Sequence, residues 1–197
     1  MGHSRYPTIS TIQRWMRKIA IENGIPKQAS NTNDHSKTVW KFARSIMKQA
    51  RDNGQKINST MLKTGCYIHD IGRMVTGSQG SKLLKPAIIH CYAGYEIMLK
   101  KGYPELARMC VSHAGGSGLD RATNKKNGFL PKNFFPQSAE EKILAYSDAR
   151  CSYAKKTGPY IGTFKKAYGR FRKYPGAGKR LLTVQNSIKK MTGNSSL

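Results

Sequence analysis

DHSKTVWKFARSIMKQARD, residues 34–52, decides how the chain is read. Val39, Phe42, Ala43, Ile46, Met47 and Ala50 recur at spacings of three and four, the apolar stripe of an amphipathic helix. Asn33 or Asp34 supplies its N-cap and Asn53-Gly54 its stop. The same period extends outward in both directions. Upstream, Ile9, Ile12, Met16, Ile19 and Ala20 predict a helix over 8–22 that ends at Gly24, with 25–33 as a polar connector. Downstream, a third helix is expected over 59–70, then a Gly/Ser/Lys loop over 73–85. A fourth helix opens at Pro86 and stops at Gly102, and a fifth runs from Pro104 to Gly115-Gly116. Residues 115–137 form a long loop, which at that length is expected to be a functional lid, with Phe129, Phe134 and Phe135 packing it onto the core. Ser138-Ala139-Glu140-Glu141 is a capping box, opening a sixth helix to about Lys155. The expected fold class is all-α.

Composition narrows the function. The chain has 197 residues, which suits one domain with short appendages. Lys and Arg number 35 against 10 Asp and Glu, a formal charge of +25, so anionic company is expected: nucleotides, nucleic acid or phosphorylated metabolites. No apolar run approaches the roughly 18 residues of a membrane span, and residues 1–17 lack the apolar stretch of a secretory signal. Cys66, Cys91, Cys110 and Cys151 are scattered without a Cys-x-x-Cys pair, which argues against a disulfide framework or zinc ribbon and for a reducing, cytoplasmic setting. After Asp148 there is no further acidic residue, while residues 151–197 carry eleven Lys or Arg. In that tail Tyr160, Phe164, Tyr168 and Phe171 lie at offsets of four, four and three, which predicts one buried helical stripe. A last short helix is expected over 181–191. The divisions expected are 1–30, an N-terminal helix and connector; 31–156, the main helical domain; and 157–197, a basic helical extension.

The chain has five histidines, and four of them fall at inward-facing points or ends of these helices: His35, His69, His90 and His113. Asp70 follows His69, and Asp148 shares a helical face with Leu144 and Cys151. An ionised Asp on an apolar face is costly unless something pairs with it. A metal cation pairs with it, and neutral imidazoles from neighbouring helices complete the cation's shell. Taken singly, each His also reads as a satisfied core residue; taken together, the set points to one site. Cys66 and Cys110 each precede a candidate ligand by three residues and are read as small core residues.

His35, the intact tetrad His69-Asp70-Ile71-Gly72 and Asp148 together resemble the HD-domain superfamily of metal-dependent phosphohydrolases, in its HDIG-type branch. The flanking runs DHSKTVWKFA, HCYAGYEIMLKKGYPELARMCVSHAGG and FPQSAEEKILAYSDA carry the likeness over 34–152. The resemblance implies an all-helical domain with a central metal site. By position, His35, His69, Asp70 and Asp148 correspond to first-metal ligands. His90 and His113 correspond to the extra pair of two-metal members, in which Asp70 bridges. Two divalent cations (Mn, Fe, Mg, Ni or Co) are implied, and two cations a few Å apart clamp a phosphoryl group during in-line attack.

Asp70 and Arg73 are the expected catalytic pair. Arg73, Arg150, Lys82 and Lys85 are candidates for holding phosphate oxygens. The expected activity is hydrolysis of a nucleotide or related phosphomonoester or phosphodiester. Two other readings stand beside it: a diiron oxygenase using the same six ligands, and a basic nucleic-acid-binding protein on an HD scaffold, with non-specific binding through the basic surface. No membrane partner is expected.

Overall fold

The computed structural model describes residues 5–77, 88–154 and 157–194, and it is built almost wholly of helices. In chain order they are α1 (Ile9–Glu22), α2 (Lys27–Asp52), α3 (Ser59–Ile68), α4 (Arg73–Thr76), α5 (Ile89–Lys100), α6 (Pro104–Ser112), α7 (Arg121–Lys126), α8 (Ala139–Arg150), α9 (Phe164–Phe171) and α10 (Ala177–Thr192). Between α8 and α9 sits an antiparallel hairpin, β1 (Cys151–Ala154) and β2 (Gly158–Ile161), with Ser152 opposite Tyr160 and Tyr153 opposite Pro159.

α2 is the spine. Its 26 residues span about 39 Å at the α-helical rise. Val39, Ala43 and Ile46 are fully buried along the predicted stripe. They meet Leu62, Cys66 and Ile68 from α3, Leu106, Met109 and Cys110 from α6, Ile143, Leu144 and Tyr146 from α8, and Val184 and Ile188 from α10, all in one apolar cluster. The C-terminal helix is thus part of the main core.

α2 starts at Lys27, so residues expected as a connector are helical. The reason is that Gln28 and Thr32 are buried one turn apart and satisfy each other, Gln28 Nε2 donating to Thr32 Oγ1 at 2.9 Å. A stripe read from apolar residues alone does not register such a pair. Residues 73–76, expected in a loop, form the short α4. The predicted capping box is present: Ser138 Oγ accepts from Glu141 N, and the Glu141 carboxylate accepts from Ser138 N. α8 ends at Arg150, short of the expected Lys155, because the hairpin takes over at Cys151. The loop after α6 is packed, with Phe134 buried and Phe129 stacked on Tyr92 at 3.7 Å.

The tail aromatics depart from expectation. Tyr160 lies on β2 and is 39% exposed, off any helical stripe. Phe164, Tyr168 and Phe171 do share α9, but all three are only half-buried and Ala167 is the buried residue of that helix. α9 is two turns long and lies over α8 and Leu181, so its aromatics cover the core edge rather than enter it.

Candidate metal centre

Five helical elements deliver side chains to one point. His35 comes from the middle of α2, His69 caps the C-terminus of α3, and Asp70 follows in the turn before α4. His90 sits in the first turn of α5, His113 caps α6, and Asp148 lies in the last turn of α8. All six sequence-predicted residues converge.

The two oxygens of Asp70 face two different groups. Oδ2 lies 3.8 Å from His35 Nε2 and 3.7 Å from His69 Nε2. Asp148 Oδ1 closes that side, 2.9 Å from His35 Nε2 and 3.5 Å from His69 Nε2. Oδ1 of Asp70 lies 3.0 Å from His90 Nε2 and 3.6 Å from His113 Nε2. The carboxylate therefore stands between two imidazole pairs.

Second contacts set which ring nitrogen faces inward. His69 Nδ1 donates to the Cys66 carbonyl at 2.9 Å and His113 Nδ1 to the Met109 carbonyl at 3.2 Å. The other ring nitrogen of each, Nε2, then faces the centre, the arrangement that orients metal-ligating histidines. Among the described residues, His69 Nε2 and Asp70 Oδ1 are buried without a hydrogen-bond partner; the 3.0 Å approach of His90 to Asp70 Oδ1 is not aligned as a hydrogen bond. Two orphaned acceptors on buried residues are costly in a closed protein. A cation on each side of Asp70 would remove that cost, so the donor set fits metal.

Electrostatics agree. Burial alone would raise the Asp70 carboxyl, but Arg73, His69 and His90 outweigh it and hold it well below the usual carboxylate range. Burial likewise opposes ionisation of Asp148, and His35 and His69 hold it low. Burial lowers His69 and keeps it neutral. Against burial, Cys91 and Asp70 raise His90 to about 9. His69, Asp70 and His113 are closed off, while His35 and Asp148 are each 20% exposed and Arg73 28%, so the centre opens on that side.

The surrounding cations divide. Arg73 Nε donates to Asp70 Oδ2 at 2.6 Å, placing its guanidinium at the open edge. Arg150 is not brought to the cluster: Nε donates to the Gly162 carbonyl at 2.6 Å, Nη1 to Tyr146 Oη at 2.9 Å, and the guanidinium covers the Phe42 ring. It ties the hairpin to α8. Lys82 and Lys85 lie outside the described residues.

One residue at the centre was missed. Cys91 Sγ lies 3.4 Å from His90 Nε2 and 3.7 Å from His113 Nε2. Burial opposes ionisation of this thiol, yet His90 and His113 bring it down to about 6, whereas burial pushes Cys66 and Cys110 up. Its only signal in the sequence is adjacency to His90. Cys66 and Cys110 are core residues, as expected.

The HD domain family matches residues 32–151, well over half of the chain and the segment that carries all six residues. The chain belongs to the HD domain family, the metal-dependent phosphohydrolases. An uncharacterized protein from Methanocaldococcus jannaschii is 24% identical over 160 residues, covering 81% of this chain and 89% of the relative. Two tRNA (cytidine(56)-2'-O)-methyltransferases also match. The one from Picrophilus torridus is 31% identical over 114 residues, and that from Thermoplasma volcanium 30% over 115. Each match covers 58% of this HD chain but only 29% and 30% of the methyltransferase. No solved structure gives a significant match. Among the described residues no helix is long and apolar enough to cross a membrane.

Proposed function

We propose that this chain is a two-cation phosphohydrolase of the HDIG type, acting in the cytoplasm on a nucleotide or related phosphomonoester or phosphodiester. The observation that carries the proposal is the placement of Asp70, one oxygen toward His35, His69 and Asp148 and the other toward His90 and His113. On this reading the first group would hold one divalent cation and the second group another, with Asp70 contributing to both. Divalent cations so held supply positive charge for phosphoryl oxygens and lower the pKa of bound water.

The chain's own residues do the rest. His69 and His113 are locked by the Cys66 and Met109 carbonyls, so their ring nitrogens need no reorganisation when a cation arrives. Arg73 spends Nε on Asp70, and its terminal nitrogens, which have no hydrogen-bond partner among the described residues, can clamp phosphate oxygens at the open edge. Lys82 and Lys85 remain proposed phosphate contacts because they lie in the segment joining α4 to α5. The +25 charge draws polyanionic substrates toward the opening. The relation to tRNA methyltransferases supports a nucleotide-containing substrate or an RNA partner.

The test is to load metal-free protein with Mn, Fe, Mg, Ni or Co in turn, count bound metal, and measure phosphate release from a panel of nucleotides and phosphodiesters. Hydrolysis that needs metal and vanishes in Asp70→Ala is the expected result. Metal-loaded protein that cleaves no ester but consumes oxygen would overturn it in favour of a diiron oxygenase.

A further inference from the structure

The two sides of Asp70 are not equivalent. On the His35 side the nearest extra donor is a carboxylate, Asp148. On the His90 side it is sulfur: Cys91, 1% exposed, with Sγ against both imidazole nitrogens. The same two nitrogens also face Oδ1 of Asp70, which has no hydrogen-bond partner among the described residues, on a side chain 3% exposed. The three groups His90, Cys91 and His113 each offer one ligand atom, all within 4.8 Å of one another.

The spacing can be compared with a tetrahedron. With metal–nitrogen and metal–oxygen bonds of about 2.0–2.2 Å and a metal–sulfur bond of about 2.3 Å, its edges are about 3.3 Å between nitrogen or oxygen atoms and about 3.6 Å between nitrogen and sulfur. The edges found from sulfur to nitrogen are 3.4 and 3.7 Å. Those from Asp70 Oδ1 to the same two nitrogens are 3.0 and 3.6 Å. Sulfur and oxygen thus cap the same imidazole pair at ligand–ligand distances. Cys110, also buried, differs in bonding a backbone carbonyl, that of Ile68, at 3.6 Å.

We propose that Cys91 is a protein ligand of the second cation, completing a set of His90, Cys91, His113 and Asp70. The inference rests on the two-cation reading above and adds a thiolate to it. On binding, the thiol gives its proton to solvent and its sulfur lone pair to the cation. A thiolate and two imidazoles favour Zn²⁺, Fe²⁺ or Co²⁺ over the hard, oxygen-seeking Mg²⁺ and Mn²⁺. The second position is therefore selective for a softer ion, while the first, with its second carboxylate, accepts harder ones.

The test is titration of the metal-free full-length chain with Co²⁺, counting bound cobalt and recording the near-ultraviolet thiolate-to-cobalt charge-transfer band. The band should grow with the second equivalent, vanish in Cys91→Ser with at least about a tenfold loss of affinity at that position, and persist in Cys151→Ser. X-ray absorption on zinc-loaded wild-type protein reads the same point without a variant, and one sulfur per two zinc ions at about 2.3 Å is expected. Two bound ions with only nitrogen and oxygen neighbours and no charge-transfer band would overturn the role of Cys91 and leave the two-cation reading standing. A chain that binds no metal would overturn both.

Discussion

Replacing Gly72 with Ala tests how the centre is held together. The glycine has φ −62° and ψ −20°, a conformation open to any residue, so its backbone does not require glycine. Space does. A Cβ there would fall inside the His90 carbonyl oxygen, 2.6 Å from Gly94 N and 2.8 Å from the His90 carbonyl carbon. These are backbone atoms of α5 and cannot swing aside. Ordinary contact begins at 3.4 Å and the His90 carbonyl oxygen is the nearest atom, so α5 must retreat from the His69–Gly72 turn by about 1.5 Å. Overpacking of this kind costs about 3 kcal/mol at the upper end of its usual range. The lower entropy of the unfolded alanine chain returns about 0.4–1 kcal/mol. The net loss of about 2–2.6 kcal/mol lowers the melting temperature by about 4–10 °C for a domain of this size. The functional loss is larger, because the displaced helix carries His90 and Cys91 away from Asp70, and metal sites tolerate only about 0.2 Å. Thermal melting and a metal count on the same preparation provide the assay. The expected variant is folded, destabilised and short of one cation. A Gly72→Ala protein that melts with the wild type and binds as many cations would refute the close-approach argument.

Arg73→Ala should lower kcat/KM by roughly tenfold to a hundredfold, the equivalent of a charged hydrogen bond of about 1.5–3 kcal/mol, with metal retained at weaker affinity because Asp70 loses its 2.6 Å partner; unchanged kinetics would assign the residue to solvent. Removing residues 157–197 should abolish the cooperative melt, since Leu181, Val184 and Ile188 are buried and each contributes roughly 1.5–3 kcal/mol out of a total of about 5–15. An unaltered melting temperature, with loss of salt-sensitive RNA binding, would instead make the tail a detachable nucleic-acid arm. Asp120 caps α7 through Thr123 and pairs with Arg180 of α10 at 3.1 Å. Burial opposes its ionisation, yet these contacts hold its carboxyl below the ordinary value, so its contribution is present above that value and lost as pH falls through the lowered one. Asp120→Ala should therefore destabilise by about 0.5–2 kcal/mol at neutral pH, with the difference shrinking in acid; melts at pH 7 and pH 3 check this.

The sequence alone determined that the chain is helical and which six ionisable residues the fold brings together. Apolar period and caps are local properties, and they marked α1, the stripe of α2, α6 and the Ser138 cap. His35, His69, Asp70, His90, His113 and Asp148 were legible because ionisable groups at inward positions are rare enough to stand out one by one. Tertiary structure decided the rest. Gln28 and Thr32 lengthen α2 through a polar pair that no apolar count detects. Tyr160 leaves the aromatic stripe because strand pairing with Ser152 outweighs a helical spacing of four. Arg150, two residues from Asp148, turns instead to Gly162 and Tyr146. Above all, the division of Asp70 between two imidazole pairs, and the arrival of Cys91 at one of them, depend on how closely α5 and α6 pack against the turn at Gly72. Distances between helices arise from side-chain volumes meeting across the core, and periodicity along one chain segment carries no information about them.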